Sequence, residues 1–230
     1  MTKFEEKHVH KFYEESSQEF SNTRYKMWPK IAEFYSKYVK PTDTILDAGC
    51  GNGRNTLFPN RTVSVDYSKR LLEISKDKGK GAAYLRHDLA DPLPLRKNSV
   101  DVAISIAVIH HLSTIDRRKA AMRALLEPVR KGGYVLLYVW SETPNTKPSK
   151  LIGVSSVANT SLEDAIEKPT PNDVFLGWKN TNRLERYYHL FTENELEELV
   201  PGEEAAILES GKDHGNYFIV CQKSGPDGHS

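Results

Sequence analysis

Cysteine is nearly absent from this chain: Cys50 and Cys221 are the two present in 230 residues. That excludes a disulfide framework and a cysteine-rich zinc site, and it points to a reducing compartment. No apolar run approaches the roughly 18 residues that span a bilayer, which argues against a membrane role. The opening MTKFEEKHVHKFYEES alternates charge with aromatics and lacks the apolar stretch of a secretory signal. A cytoplasmic protein is expected, with a nuclear pool left open. Excess charge of one sign is also missing, because the formal net charge is +1, so nothing global draws the chain to a polyanion. The charge is uneven, however. Residues 117–150 carry a balance of +6 and residues 192–230 one of −7, the pattern of a protein with one basic face or of separate solvated helix faces.

What is present is the composition of an ordinary globular protein, 38% hydrophobic and 27% charged. Its length suits one buried α/β core. We expect a single domain over 1–223, with N-terminal helices within 1–40, a substrate-side insertion at 141–182 and a disordered tail at 224–230. Apolar spacing predicts helices from Glu6 to Phe20 and from Trp28 to Val39, the second with Pro29 in its first turn. Short apolar runs predict strands at Thr44 to Asp47, Thr62 to Asp66, Ala83 to Arg86, Val100 to Ile106 and Tyr134 to Trp140. Helices are predicted over Ser68 to Lys78, Asp116 to Val129 and Phe191 to Val200, the last with a Thr192/Glu195 capping box. Ala205 to Ser210 and Tyr217 to Gln222 flank the turn Asp213-His214-Gly215-Asn216 and read as a hairpin. Strands that alternate with helices give a Rossmann-like, doubly wound, mostly parallel seven-stranded sheet with a C-terminal antiparallel hairpin. The segment 141–182 shows no sustained period.

Asp47-Ala48-Gly49-Cys50-Gly51-Asn52-Gly53 follows the first strand, where glycines let backbone amides approach a ligand that any Cβ would exclude. Asp66 ends the second strand, placed to accept hydrogen bonds from two ribose hydroxyls. His87-Asp88-Leu89 ends the third. An acid ahead of the glycines, the spacing DxGxGxG and a second acid after the third strand favour S-adenosylmethionine over a nicotinamide dinucleotide. The expected cofactor-binding set is Asp47, Gly49, Gly51, Asn52, Asp66, Asp88, Leu89 and Ile106, with Asp47 toward the methionine end and Asp88 facing the adenine amine. Cys50 reads as a small buried filler. No metal site is expected, since His110 and His111 lack a second ligand cluster at suitable spacing.

The stretches VHKFYEESSQEFSNTRYKMWP, DAGCGNGRN, DVAISIAVIHHLST, RRKAAMRALL, GGYVLLYVW and RYYHLFTENELEELV cover most of the chain. In order and spacing they resemble tRNA carboxymethyluridine methyltransferases. The chain is similar to the stand-alone fungal type, without the dioxygenase and RNA-recognition modules of the larger animal proteins, and it shortens the segment between Gly53 and Val63 to a turn. The resemblance implies esterification of the carboxymethyl group on wobble uridine, with the tRNA anticodon arm as substrate. It also implies a heterodimer with a small zinc-binding methyltransferase activator, for which apolar strands at Val100 to Val108 and Tyr134 to Trp140 offer a candidate uncovered edge.

A carboxylate is already anionic at neutral pH, so such a site needs a clamp rather than a base. Arginine supplies a bidentate fork for a carboxylate, and Arg24 and Arg186 are the candidates, with Tyr25 and Tyr187 beside them. His110 and His111 follow the fourth strand, where parallel sheets hold ligands. His111 completes the catalytic set, and His110 is assigned to the uridine. Trp28 and Trp178 are candidates to stack a splayed-out base, while Trp140 at a strand end reads as core. Two other readings stay open. One is a small-molecule O-methyltransferase acting on a quinone precursor or phenol, for which His111 is the candidate base. The other is a non-catalytic S-adenosylmethionine-binding subunit.

Overall fold

The computed structural model describes residues 2–24, 26–145, 151–154, 169–177 and 185–225. The chain begins as a helical arm in four pieces: α1 (Lys3–Glu5), a π-helical turn (Glu6–His10), α2 (Lys11–Glu15) and α3 (Ser17–Asn22). Thr2 caps it by accepting the Glu5 amide at 3.1 Å. Helix α4 (Pro29–Tyr38) places its proline at the first turn and buries Ile31, Phe34 and Tyr35.

Seven strands then form one sheet: β1 (Ile45–Ala48), β2 (Thr62–Asp66), β3 (Ala83–Arg86), β4 (Val100–Ile106), β5 (Val129–Trp140), β9 (Ala205–Asp213) and β10 (Asn216–Lys223). Their order is β3-β2-β1-β4-β5-β10-β9, with β1 to β5 parallel and β10 antiparallel to both neighbours. β1 and most of β4 are buried on both faces, which is why they read as unbroken apolar runs. Helix α5 (Lys69–Asp77), capped by Ser68, joins β2 to β3, and on one face of the sheet α6 (Ile115–Leu126) packs Ala121, Met122 and Leu125 against Leu46, Ala103 and Leu137. On the other, α4 packs Ile31, Phe34 and Tyr35 against Ile45, Val102 and Ile104. Each such fully buried aliphatic side chain contributes about 1.5–3 kcal/mol. The C-terminal hairpin closes with His214 at φ 45° and Gly215 at φ 79°, the two left-handed positions of a type I′ turn.

Strand order reverses between β1 and β4, and ligands bind at such a crevice beyond the carboxyl ends of the strands. Over this crevice lies a second antiparallel sheet, β6 (Leu151–Gly153), β7 (Asp173–Gly177) and β8 (Glu185–His189), in that order. It joins the arm through Phe4, Val9, Val154, Phe175 and Tyr187.

Three expectations are corrected. The helix predicted for Phe191 to Val200 is a series of turns ending in a 3-10 turn (Glu197–Leu199). Asn194 takes φ 66°, which no α-helix accommodates, and the Glu195 carboxylate is drawn to His189. Segment 141–182 contributes β6 and β7 where no regular structure was expected. The apolar strands around Val100 and Tyr134 are interior, because β4 lies between β1 and β5 and β5 between β4 and β10; the free edges are β3 and β9. In the basic run Arg117 pairs with Glu5 and Asp88, Arg118 is buried, and Arg130 pairs with Asp101, while Lys119, Arg123 and Lys131 are exposed. Residues 226–230 of the expected tail lie outside the described residues.

Candidate active site

One cavity opens beyond β1, β2 and β4 and brings both predicted residue sets together. Its floor is the glycine loop. Gly49 sits at φ 81°, and a Cβ there would lie 2.2 Å from Val108 Cγ2. Gly51, at φ 54°, lines the cavity with its nearest neighbour 3.8 Å from where a Cβ would stand, so its need for glycine is conformational. Asp66 accepts from the Gly51 amide at 2.8 Å and the Ser68 amide at 2.9 Å, and burial pushes its carboxyl up to about 6. Leu89 and Ile106 supply apolar walls.

Two of the predicted cofactor residues act one step back from the ligand space. Asp47 is not among the lining residues; it is buried beneath the loop, accepts from Thr56 Oγ1 at 3.2 Å, and burial pushes its carboxyl up to about 7. Asn52 lines the cavity but spends its amide on Ser21 and on the Arg24 carbonyl at 2.8 Å, tying arm to loop. Asp88 is reached through a network absent from the sequence reading. Its Oδ2 accepts from Arg117 Nη2 at 2.7 Å, and Arg117 Nε also donates to Glu5 at 2.9 Å. Glu5 further accepts from the Ser113 amide at 2.7 Å and hydroxyl at 2.8 Å. Glu5, Val9, His10 and Tyr13 thereby form a roof over the cavity, held to the residues that flank the adenine acid.

The other end of the cavity collects Arg24, Trp28, Arg54, His110, His111, Trp140, Arg186 and Tyr188. Arg186 is 1% exposed, packed over the rings of Phe12, Tyr13 and Tyr188, and Nη1 donates to Tyr13 Oη at 3.0 Å. The Tyr13 hydroxyl contacts His111 Nε2 at 2.7 Å, and His111 Nδ1 lies 2.8 Å from the Tyr187 carbonyl. A carbonyl can only accept, so Nδ1 carries the proton and Nε2 of the neutral ring accepts from Tyr13. Burial, His110 and Arg186 hold His111 neutral, well below the usual imidazole range. His110 is likewise neutral through burial; its Nδ1 accepts the Trp140 amide at 3.1 Å, which puts its proton on Nε2.

Period-two alternation along β8 decides which tyrosine serves the site. Arg186 and Tyr188 face the cavity. Tyr187, the expected substrate contact, turns away, donates to Asp173 at 2.6 Å and packs edge-on against Phe4. Tyr188 takes its place and stacks on Trp140 at 4.3 Å and 6°. Trp140 is thus half-buried at the cavity rather than core. Trp28 lines the cavity as expected; Tyr25 and Trp178 lie outside the described residues. Tyr13, Arg54, Tyr188, Glu5 and Arg117 carried no sequence signal beyond lying in or beside the family-like stretches.

The glycine cradle, the paired acids after β2 and β3 and the reversal of strand order define a class I S-adenosylmethionine-dependent methyltransferase. The chain matches the Methyltransferase domain family over residues 46–137. It is similar in fold, at 17% identity, to a Methanosarcina mazei S-adenosylmethionine-dependent methyltransferase (TM-score 0.67, 86% of this chain and 99% of that one). A Haloferax volcanii methyltransferase solved in complex with the Trm112 methyltransferase activator gives TM-score 0.63 at 13% identity, over 96% of this chain and 100% of that one. In sequence it is 36% identical to an Encephalitozoon cuniculi protein named as a methyltransferase, over 96% of this chain and 97% of the relative. It is 31% identical to the Schizosaccharomyces pombe tRNA (carboxymethyluridine(34)-5-O)-methyltransferase over 96% and 98%, and 28% identical to its Saccharomyces cerevisiae counterpart over 95% and 96%. The chain belongs to this tRNA carboxymethyluridine methyltransferase family, and its cofactor is S-adenosylmethionine.

Proposed function

We propose that this chain esterifies the carboxymethyl group of 5-carboxymethyluridine at the tRNA wobble position, giving the methoxycarbonylmethyl form. The observation that carries the choice of acceptor is the state of the two histidines. A hydroxyl acceptor needs a base, but His111 donates through Nδ1 and accepts through Nε2, and His110 Nδ1 is taken by a backbone amide. A carboxylate acceptor needs no proton removed. It needs cationic forks, and Arg24 and Arg186 stand at the same end of the cavity. The aromatic wall of Trp140 and Tyr188 suits a base splayed out of its strand. The bound cofactor supplies an electrophilic methyl group on a sulfonium. Asp66 would receive the ribose and Asp88 the adenine amine, while the arm excludes water from above. The arginines align one carboxylate oxygen for attack, and the Tyr13–His111 pair fixes Arg186.

A small activator is part of this reading. The Haloferax volcanii chain of similar fold was solved with one, and among the described residues the edges β3 and β9 are open to strand addition. The reading is tested by the isosteric amide: RNA carrying 5-carbamoylmethyluridine should accept no methyl where 5-carboxymethyluridine does. Equal transfer to both would dismiss the carboxylate as acceptor.

A further inference from the structure

Three arginines stand at the acceptor end, one more than the two that hold the substrate carboxylate in the function proposed above. Arg186 is buried behind Tyr13 and Tyr188. Arg24 lies over Phe20 at 4.7 Å. Arg54 is separate from both in its setting: its guanidinium lies 4.6 Å from the centroid of the Trp28 ring, and Trp28 is backed by Tyr138 at 5.2 Å. Among the described residues no carboxylate lies within ion-pair distance of Arg54. Burial, then the positive charge of Arg24, lowers its affinity for a proton to about 10. A preordered, half-desolvated cation facing a cavity, with another cation beside it, is stabilised only when an anion arrives.

The cofactor's methionine carboxylate and the uridine's carboxymethyl group are two anions for three arginines. A nucleotide splayed into the cavity brings a third kind, the phosphodiesters on either side of it. Of the basic run, Arg117 and Arg118 are committed inside the protein and Arg130 pairs with Asp101 at the surface, and none of the three lines the cavity. Planar guanidinium on an indole face is a geometry that leaves the outward N–H edge free to fork a phosphate.

Resting on the function proposed above, we infer that Arg54, seated on Trp28, is the phosphodiester-binding residue of this site: it grips a phosphate next to the target nucleotide, leaving the carboxylate to Arg24 and Arg186. Trp28 is then a platform for Arg54 rather than a stacking partner for the base, and the Trp140–Tyr188 wall takes the base.

The test uses the full chain with its activator, an anticodon stem-loop RNA bearing 5-carboxymethyluridine, and S-adenosylhomocysteine. Arg54→Met should weaken RNA binding and flatten the dependence of log K on log salt by about 0.7, the contribution of one single-strand phosphate. Cofactor affinity should stay within about twofold of wild type. RNA with a methylphosphonate at either phosphate flanking the target should weaken binding to the wild-type protein at one of the two sites. Arg54→Met should add nothing further on that RNA. The methylphosphonate arm needs no protein variant, so it stands even if the substitution disturbs folding. An unchanged salt slope with cofactor affinity lowered tenfold or more would assign Arg54 to the methionine carboxylate and overturn the inference. No effect of either methylphosphonate would overturn it as well. If the salt slope changes while the wild-type protein transfers no methyl to this RNA, the phosphate contact holds and the proposed reaction fails.

Discussion

Tyr13→Phe removes one oxygen from the centre of the acceptor end, and its consequences can be worked through. The hydroxyl accepts from Arg186 Nη1 at 3.0 Å and donates to His111 Nε2 at 2.7 Å. Its loss leaves the buried Nε2 without that donor, costing about 1–3 kcal/mol. In a chain of this size 1 kcal/mol moves the melting temperature by about 2–4 °C, so a drop of about 2–12 °C is expected. The larger effect falls on the reaction. With the tyrosine oxygen gone, Arg186 loses a fixed point on one side, and a displacement of about 1 Å in a positioning group can cost about 100-fold in rate. We expect kcat/KM for carboxymethyluridine RNA to fall about 10- to 100-fold, while the affinity for S-adenosylhomocysteine, measured by calorimetry, changes by about twofold or less. Because His111 is neutral throughout, wild type and variant should share a flat rate profile between about pH 6.5 and 8.5. A fully active Tyr13→Phe protein with an unchanged melting temperature would refute the reasoning. So would a wild-type rate that climbs with a midpoint near 7, which would make His111 a base.

Other consequences are equally specific. Glu5→Gln weakens the charge-assisted bonds to Arg117 and Ser113, worth about 1.5–3 kcal/mol each; the arm should become sensitive to proteolysis and cofactor affinity should fall, with saturating cofactor restoring protection. Burial raises Asp66 to about 6 and Asp47 to about 7. The stability this confers on the ligand-free protein is present below about pH 4 and is lost as pH rises through those values. Cofactor binding that uses the ionised Asp66 runs the other way, and calorimetry should show affinity falling by up to about tenfold per unit below pH 6. His189 is held between Asp173 at 2.9 Å and Glu195. Although burial opposes its charge, those bonds raise its pKa, so its contribution is complete below 6.5 and lost as pH rises through the folded value. Denaturant midpoints should fall above neutrality in wild type and stay flatter in His189→Asn.

The parallel core was legible because β1 and β4 are mostly apolar and β2 alternates valine with polar residues, each bounded by turn residues, and the glycine loop because left-handed backbone leaves glycines in the sequence. The small sheet was not. Along β8 both faces are buried, so Arg186, Tyr187, Tyr188 and His189 show no polar alternation, and which tyrosine faces the cavity depends on pairing with β7. The Thr192/Glu195 signal was real, since the Thr192 amide does donate to Glu195 at 3.0 Å; a tertiary bond to His189 turned the segment from helix to turns. Arg117 looked like surface charge because its partners, Glu5 and Asp88, are remote in sequence. Local pattern reads periodicity, and the acceptor end is built from side chains far apart along the chain.

The central claim is tested most directly by methyl transfer from labelled S-adenosylmethionine to tRNA containing 5-carboxymethyluridine, with and without a co-expressed activator, followed by mild alkali. The account predicts label on the tRNA that depends on the carboxymethyl group and leaves as methanol when the ester is hydrolysed. Label that resists alkali, or appears equally on tRNA lacking the carboxymethyl group, would contradict it.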